Sequence, residues 1–356
     1  MKTTGVSTSS LCNGIDIFTK NLNRDVIQLR KEAVTGQRAD YGLHLGGKIV
    51  DVLEFNQEKQ HLTETLDSNN LAKTRLEISQ GSLATIDNIY QDMLEKTMIL
   101  HGNDEYTALD QISNMAKDSL ISLTNSANTM NGGEYLFSGI NTLEKPFKDY
   151  FAKDSAAKKS FDQMLENFLK ENSQNLPKGQ NLTVSSMNSS QMTEFIEKLE
   201  NAFFNDDYWL QNWSNASHQN IKHYIGNTEE RDISVNVNMG GVRNCALFSV
   251  IGTELLSKEL APESRDVLHK KLSSVLGKGL MDLNYNSSLL GIVEKRIDQE
   301  NVLIEDKKSI IEKHVANSIG IDLSNTSIVL EELVNKINIS YMITSKLQKL
   351  SLLNYI

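Results

Sequence analysis

A glycine-rich segment near the N-terminus has the residue types that could bind a nucleotide phosphate. Gly42 is followed after four residues by Gly47 and Lys48, which matches most of a phosphate-binding loop. The next residue is Ile49, however, and it lacks the hydroxyl group that would hold Mg²⁺ in such a loop. The preceding residues 32–40 are small and polar, so they do not supply the strand that the motif requires. We therefore predict that the chain is not a nucleotide-dependent enzyme.

The other groups that could do chemistry are scattered along the chain. His218 and His223 are five residues apart, a spacing that does not place both on one face of a helix. The sequence has no His-Glu-x-x-His motif, and Cys12 and Cys245 are far apart, so neither a metal site nor a disulfide framework is indicated. We predict no catalytic residue, no metal and no cofactor.

The amino-acid composition limits the classes of partner and the cellular location that the sequence predicts. The 356 residues carry a net charge of −10, with charges of both signs interspersed and no basic patch, which argues against nucleic acid. No apolar run approaches the roughly 20 residues of a membrane span, and residues 1–13 lack the apolar core of a secretory signal peptide. On composition alone, the sequence predicts a cytoplasmic protein.

The strongest pattern is a seven-residue apolar repeat over residues 49–100. Leu76, Leu83 and Tyr90 share one heptad position. This seam predicts one helix, roughly 75 Å long at about 1.5 Å per residue, that packs against another helix. Other apolar or small residues of the run are Leu62, Ala72, Ile86, Met93 and Leu100.

A second helix is predicted from about Asp104 until Gly132, because the heptad pattern starts again there. Its seven-residue repeat consists of Leu109, Ala116, Leu123 and Met130. Towards the C-terminus another amphipathic helix is predicted, with an apolar stripe made of Leu289, Ile292, Leu303 and Ile310. The two ends of the chain thus carry apolar stripes that need partners.

The middle of the chain has a different pattern. Aromatic residues cluster between about residues 141 and 230, helical periods shorten, and a loop is indicated at Pro177. Residues 231–239 alternate between apolar and polar side chains, which predicts a strand. The sequence therefore predicts a mainly α fold with a smaller α+β part, in which an elongated rod of paired N- and C-terminal helices carries an inserted middle domain. A monomeric helical bundle is the alternative.

Three segments carry a more specific signal. They are the segment from Thr35 to Asp40 followed by Gly42-Leu43-x-Leu45-Gly46, the segment from Gly133 to Gly139 followed by Pro146-Phe147, and Ser340-Tyr341 with the run from Leu347 to Ile356. These segments resemble the flagellin-like hook-associated proteins, in the style of their alphaproteobacterial members. The Ala-Asn-Gln stretch typical of the end of filament flagellins is missing, which favours a hook–filament junction protein of this family over a filament subunit.

The resemblance implies a structural protein of the bacterial flagellum without catalytic activity. It implies contact with the first hook-associated protein on one side and with flagellin on the other, self-association in a ring or helical layer, and binding of an export chaperone. It also implies an extracellular location, reached by type III export without a cleaved signal peptide, in place of the cytoplasm. Filament flagellin and a cytoplasmic coiled-coil adaptor remain the alternatives.

The resemblance also assigns roles to parts of the chain. The predicted domains are an N-terminal assembly segment (1–48), the N-terminal half of the rod (49–140), an outer domain (141–230), the C-terminal half of the rod (231–320) and a C-terminal assembly helix (321–356). The residues predicted to form the assembly interface are Ile15, Phe18, Leu22, Val26 and Leu29 at one end, and Leu333, Ile337, Tyr341, Leu347, Leu350 and Leu352 at the other.

Overall fold

The computed structural model describes residues 8–40, 45–99, 106–174, 182–226, 228–256 and 258–353. Over these residues the chain is dominated by α-helix, which confirms the predicted mainly α fold class with a small sheet part. The α-helices are α1 (Thr8–Thr35), α2 (Ile49–Ile99), α3 (Tyr106–Ala127), α4 (Ala156–Ser173), α5 (Ser189–Phe204), α6 (Asp206–Asn212), α7 (Gly240–Leu255), α8 (Pro262–Ile319) and α9 (Leu323–Leu353). Short 3-10 helices occupy Gly46–Lys48 and Val184–Ser186.

The strands form two small antiparallel sheets. Strand β1 (Met130–Asn131) pairs with β2 (Glu134–Tyr135), and β3 (Lys222–Ile225) pairs with β4 (Glu229–Asp232). The chain divides into two compact units, one made of Met1–Glu64 with Leu303–Ile356 and the other of Thr65–Val302. We call them the terminal unit and the central unit. The domain boundaries given above stay predictions.

Most of the predicted heptad residues of α2 and α3 lie in the core of the central unit, whereas Leu62 is half-buried in the terminal unit and Leu100 lies outside the described residues. Leu76, Leu83 and Tyr90 of α2 are buried, which confirms that they share an inward face. Helix α3 ends at Ala127, so Met130 falls in β1 and is exposed rather than continuing the helical repeat. The other buried seam residues of these two helices are Ala72, Ile86, Met93, Leu109, Ile112, Ala116, Leu120 and Leu123.

Helix α7 lies at the centre of the core of the central unit. Most of its residues are buried, as expected for a helix that is apolar on nearly all sides. It approaches α3 closely because Gly252 lies against Ala116, where an added Cβ atom would come within 2.7 Å of the alanine Cβ. Its buried Ser249 hydroxyl is 2.7 Å from the Tyr90 hydroxyl of α2 and 2.9 Å from that of Ser119 in α3. Helix α7 therefore ties both heptad helices together.

The aromatic residues of the middle region join this same core. Trp209 and Trp213 stack with ring centroids 5.7 Å apart, and Phe203 lies between 5.2 and 5.9 Å from both. The Trp209 indole nitrogen donates to Asn238, and the guanidinium of Arg243 lies 5.2 Å from the Trp209 ring. Since Arg243 belongs to α7, the middle region and the helical framework share one continuous hydrophobic cluster.

The strand predicted at residues 231–239 is wrong in its extent. Strand β4 ends at Asp232. Beyond it, the Ile233 amide donates to the Ile221 carbonyl at 2.9 Å, and Asn236 forms an isolated bridge with Ser138. Ile233, Val235 and Val237 are buried as expected and Met239 is half-buried, but Ser234 and Asn238 between them are buried too. Ser234 accepts a hydrogen bond from the Ile221 amide, so polar residues on the second face also bond inward. The alternation therefore marks an extended segment covered on both faces.

The hairpin of β3 and β4 is fixed to the helices by polar contacts. Glu229 accepts from Arg296 of α8 at 2.9 Å. The His223 Nε2 atom lies 2.8 Å from the Asn69 Oδ1 atom, and Asn69 in turn donates to Asn301 at 2.7 Å. Burial lowers the pKa of His223, which favours the neutral imidazole that donates to Asn69.

The apolar face predicted for α8 is also wrong. Leu289, Ile292, Leu303 and Ile310 are all exposed, while the inward stripe consists of Leu290, Ile297, Ile304 and Ile311. The exposed set recurs at intervals of three, eleven and seven residues, whereas the buried set recurs at every seventh residue, so the strict heptad was the better guide to the inward face. The helix thus has two apolar stripes, and the structure buries the one that has a residue at every seventh position.

Alanine substitutions at two glycines test the close approach of α7 and α3. Gly252→Ala should lower the free energy of unfolding by about 1–3 kcal/mol, because the added methyl group overpacks the Ala116 contact. Gly277→Ala, in α8 with open space around the added Cβ, should instead raise it by about 0.5–1 kcal/mol. Urea unfolding of both variants measures the two changes, and a stabilising Gly252→Ala would contradict the proposed packing.

Candidate assembly interface

The terminal unit brings together the two ends of the chain. Leu22 and Val26 of α1 and Ile337 of α9 are buried against each other, and they form the hydrophobic cluster of this helix pair. The partly buried residues around them are Leu330, Leu333 and Val334. The structure therefore pairs an N-terminal helix with a C-terminal helix through four of the eleven residues predicted from sequence.

The other predicted interface residues have different environments. Ile15, Leu29 and Leu347 are half-buried at the edges of the pair. Phe18 and Tyr341 are 53% and 57% exposed, so more than half of each side chain lies outside the buried seam. The backbones of Leu350 and Leu352 belong to α9, but their side chains lie outside the described residues. The assembly role of the whole set stays a prediction.

Hydroxyl side chains occupy positions in the seam that the apolar pattern did not reveal. Thr19 and Ser340 are buried although the contact is otherwise apolar. Thr19 donates to the Ile15 carbonyl of its own helix at 2.8 Å, and Thr344 donates in the same way to the Ser340 carbonyl at 2.9 Å. Because the Thr19 hydroxyl is satisfied within its own helix, it can be buried without a partner across the seam.

The connectors that follow α1 and α8 pair with each other. The Arg38 amide donates to the Ile319 carbonyl at 2.9 Å, and the Ile321 amide donates to the Gly36 carbonyl at 3.2 Å. Gly36 has a φ of 69°, a left-handed conformation that suits glycine at the end of a helix. Sequence reasoning missed this pairing, although the segment that begins at Thr35 was singled out by its resemblance.

One carboxylate organises the first connector. Glu32 is buried near the end of α1 and accepts a hydrogen bond from the Ala39 amide at 3.0 Å. Further along the terminal unit, Lys59 of α2 and Glu312 of α8 form an ion pair at 2.8 Å, which lowers the pKa of the Glu312 carboxyl. The Glu312 pair is exposed to solvent, so it adds little to stability, whereas the Glu32 contact fixes a backbone turn.

The terminal unit exposes an unusual amount of apolar surface. A groove of about 380 Å³ between α1 and α9 is lined by Leu11, Ile15, Phe18 and Ile343 among others. Contiguous apolar surface of this kind marks interaction sites in soluble proteins. Further exposed apolar residues of the two helices are Ile17, Ile27, Val34, Leu323, Ile328, Ile339, Tyr341 and Met342.

The structure gives no support to the chemical motifs weighed above. Gly46–Lys48 forms a 3-10 helix that leads directly into α2, and Gly42 lies outside the described residues. Among the residues that the structure describes, no group of three His, Cys, Asp or Glu side chains could hold a metal ion. Within the same residues, no helix is long and apolar enough to cross a membrane.

The N-terminal and C-terminal parts of the chain both match known protein families. Residues 7–142 match the bacterial flagellin N-terminal helical region, and residues 274–356 match the bacterial flagellin C-terminal helical region. Together the two matches cover more than half of the chain, with the central residues between them. The chain belongs to the flagellin family, a family of flagellar structural subunits.

A solved structure has a similar fold. It is a Vibrio parahaemolyticus protein described as a flagellar hook-associated protein, which is 10% identical in sequence and superposes with a TM-score of 0.51. The alignment covers 75% of this chain and 96% of that one. No curated protein sequence matches the chain.

Single charges at three neighbouring positions of α1 test the interface. Leu22→Glu should abolish assembly, because it places an unpaired charge in the buried seam. Phe18→Glu should raise the critical concentration for assembly by about 10–100-fold, because one exposed apolar contact between subunits is lost. Asn21→Glu, at an exposed polar position, is the matched control and should behave as wild type.

Sedimentation of purified protein across a concentration series measures the three effects. Circular dichroism shows whether the central unit stays folded in each variant. Assembly of Leu22→Glu at the wild-type critical concentration would show that the seam between α1 and α9 is not needed.

Proposed function

We propose that this protein is the subunit that joins the hook-associated proteins to the flagellin filament, a hook–filament junction protein of the FlgL type from the alphaproteobacterial group. The observation that carries the proposal is the terminal unit. Its helix pair has a small buried seam and a large exposed apolar surface. Such a pair gains its main stabilisation from neighbouring subunits, which suits a protein that works only in an assembly.

Two observations favour the junction over the filament. The fold is similar to that of a protein described as hook-associated. The run from Leu347 to Ile356 resembles junction proteins and lacks the Ala-Asn-Gln stretch of filament flagellins. Both observations are independent of the exposed apolar surface, which supports assembly in general and does not distinguish the junction from the filament.

The proposed partners follow from this position. The subunit would contact the first hook-associated protein on the hook side and flagellin on the filament side, and it would associate with copies of itself in a ring or helical layer. An export chaperone would cover the apolar helices before export. We propose export through the flagellar type III channel to the outside of the cell, without a cleaved signal peptide.

The function is mechanical and templating. Subunits that add by one repeated rotation and translation make a heterologous contact, which builds an open layer on which the next protein can continue. In this proposal, the helix pair of α1 and α9 in each subunit contacts the layers on both sides. The central unit, which has its own large core, would refold after export and keep its fold during assembly.

Filament flagellin is the second candidate. The family matches at both ends are to flagellin helical regions, which filament subunits share. A filament subunit would need the same exposed helix pair, since each copy contacts identical neighbours. The distinction is therefore one of location and copy number in the flagellum.

Immunogold labelling of sheared flagella separates the two candidates. An antibody raised against the central unit should label a narrow band between hook and filament if the protein is the junction subunit. Cells that lack the protein should then make hooks without filaments and release flagellin into the medium, because exported flagellin has no layer on which to assemble. Label along the whole filament would contradict the junction assignment and support the filament subunit.

A further inference from the structure

The β3–β4 hairpin is attached to α2 and α8 by a chain of imidazole and amide groups. The His223 Nε2 atom lies 2.8 Å from the Asn69 Oδ1 atom of α2. The Asn69 Nδ2 atom donates to the Asn301 Oδ1 atom of α8 at 2.7 Å, and the Asn301 side-chain nitrogen donates to Asn70 at 3.3 Å. These bonds join three elements that are far apart in the sequence, so they position the hairpin against both helices.

Asn69 lies in the core at a position where α2 otherwise carries apolar residues. It precedes Leu76 by seven residues and therefore shares the heptad position of Leu76 and Leu83. Its side chain is fully buried. Burying an amide without hydrogen bonds costs free energy, so Asn69 needs both His223 and Asn301 as partners. The helices thus present a buried acceptor oxygen that a donor on the hairpin must satisfy.

The neutral imidazole is the form of His223 that fits this position. His223 is half-buried and lies on the same face of β3 as the buried Ile225. With its proton on Nε2, the neutral ring donates to the Asn69 oxygen and keeps a lone pair on Nδ1. In acid a second proton binds at Nδ1 and the ring becomes a cation, which partial burial disfavours. Burial accordingly lowers the pKa of His223.

The charges of the hairpin and α8 on this side cancel. Arg231 is the partner of His223 across the hairpin, and directly opposed residues of an antiparallel pair point to the same face. Glu229 accepts from Arg231 and from Arg296 of α8, both at 2.9 Å, and Glu300 pairs with Arg296 at 3.2 Å. The two arginines offset the two carboxylates, so these groups supply no net negative charge to a protonated imidazole.

The charge on α2 one turn beyond Asn69 is paired as well. Lys73 forms an ion pair with Asp298 of α8 at 2.7 Å. This pair is neutral as a whole, so it does not offset a positive charge on His223 either.

We propose that His223, Asn69 and Asn301 form a pH-sensitive latch, which holds the β3–β4 hairpin against α2 and α8 near neutral pH and loosens in acid. On an open hairpin the histidine would titrate near its ordinary pKa of about 6.5, whereas the closed hairpin lowers that pKa. The closed state therefore has its full stabilisation above about pH 6.5 and loses it as the pH falls from there through the lowered pKa.

Loosening of the latch would change a surface of the central unit. The hairpin forms one wall of a groove of about 500 Å³, and Leu290 and Val293 of α8 line the groove. A flagellar protein outside the cell meets the pH of the medium, so this surface would respond to it. The latch belongs to the single chain, and its test does not depend on the proposed junction role.

Amide hydrogen exchange of the full chain at about pH 7.5 and about pH 5, corrected for intrinsic rates, measures the latch. We expect the amides of β3 and β4 to lose protection in acid. His223→Gln keeps a donor at the Nε2 position but cannot gain a charge, so its hairpin should stay protected at both pH values. His61→Gln, at an exposed histidine of α2, is the matched control and should behave as wild type.

Asn69→Asp should reverse the pH dependence. The carboxylate pairs with the protonated imidazole, so the pKa of His223 should rise above its wild-type value and the hairpin should gain protection in acid. Nuclear magnetic resonance of ¹³C-labelled histidine measures this pKa in the folded chain. The His223 signal is the one that is missing from His223→Gln and shifted in Asn69→Asp.

Four results would each overturn the proposal. They are a wild-type His223 that titrates at or above about 6.5, a wild-type hairpin that keeps its protection in acid, equal loss of protection in His223→Gln and wild type, and an unchanged His223 pKa in folded Asn69→Asp. If His223→Gln fails to fold, the wild-type exchange and the titrations of wild type and Asn69→Asp decide.

Discussion

The pairing of α1 with α9 is the contact on which the terminal unit depends. Only Leu22, Val26 and Ile337 are buried in its hydrophobic cluster, although the two helices together are among the longest in the described chain. Ordering a long helix costs conformational entropy for every residue, and most helical stability in proteins comes from tertiary packing of an apolar face. The small seam therefore leaves this pair dependent on neighbours, and its exposed apolar side chains are the surface that neighbours would cover.

The central unit differs from the terminal helix pair because it has a large buried core of its own. Helix α7 is buried on nearly all sides, the Ser249 hydroxyl links α2 and α3 to it, and the aromatic cluster around Trp209 extends the same core. The core of this unit is therefore formed within a single chain. This division fits the proposed export route: if the subunit is exported unfolded, the central unit carries the core on which it would refold, while the terminal helices stay available for assembly.

The sequence predicted much of the helical framework for a clear physical reason. The repeat of Leu76, Leu83 and Tyr90 is unbroken, and an unbroken heptad has one inward face. The prediction for α8 was wrong because it used the stripe of Leu289 and Ile292, whereas the buried stripe is the unbroken heptad of Leu290, Ile297, Ile304 and Ile311. The sequence pattern also did not reveal the burial of Thr19 or the connector contacts of Gly36, because a buried hydroxyl and a pairing between distant loops leave no periodic signal. The partners of the exposed stripes are likewise a property of the assembly, so the monomer sequence could indicate the surfaces but not what covers them.

Hydrogen exchange of backbone amides tests most directly whether α1 and α9 depend on assembly. The measurement compares the purified monomer with isolated flagella, and α7 serves as the internal standard for a well-packed helix. We expect the amides of α1 and α9 to exchange much faster than those of α7 in the monomer and to become protected in the assembled flagellum. Equal protection of α1 and α7 in the monomer would contradict the account, because it would mean that the seam of Leu22, Val26 and Ile337 is sufficient without neighbouring subunits.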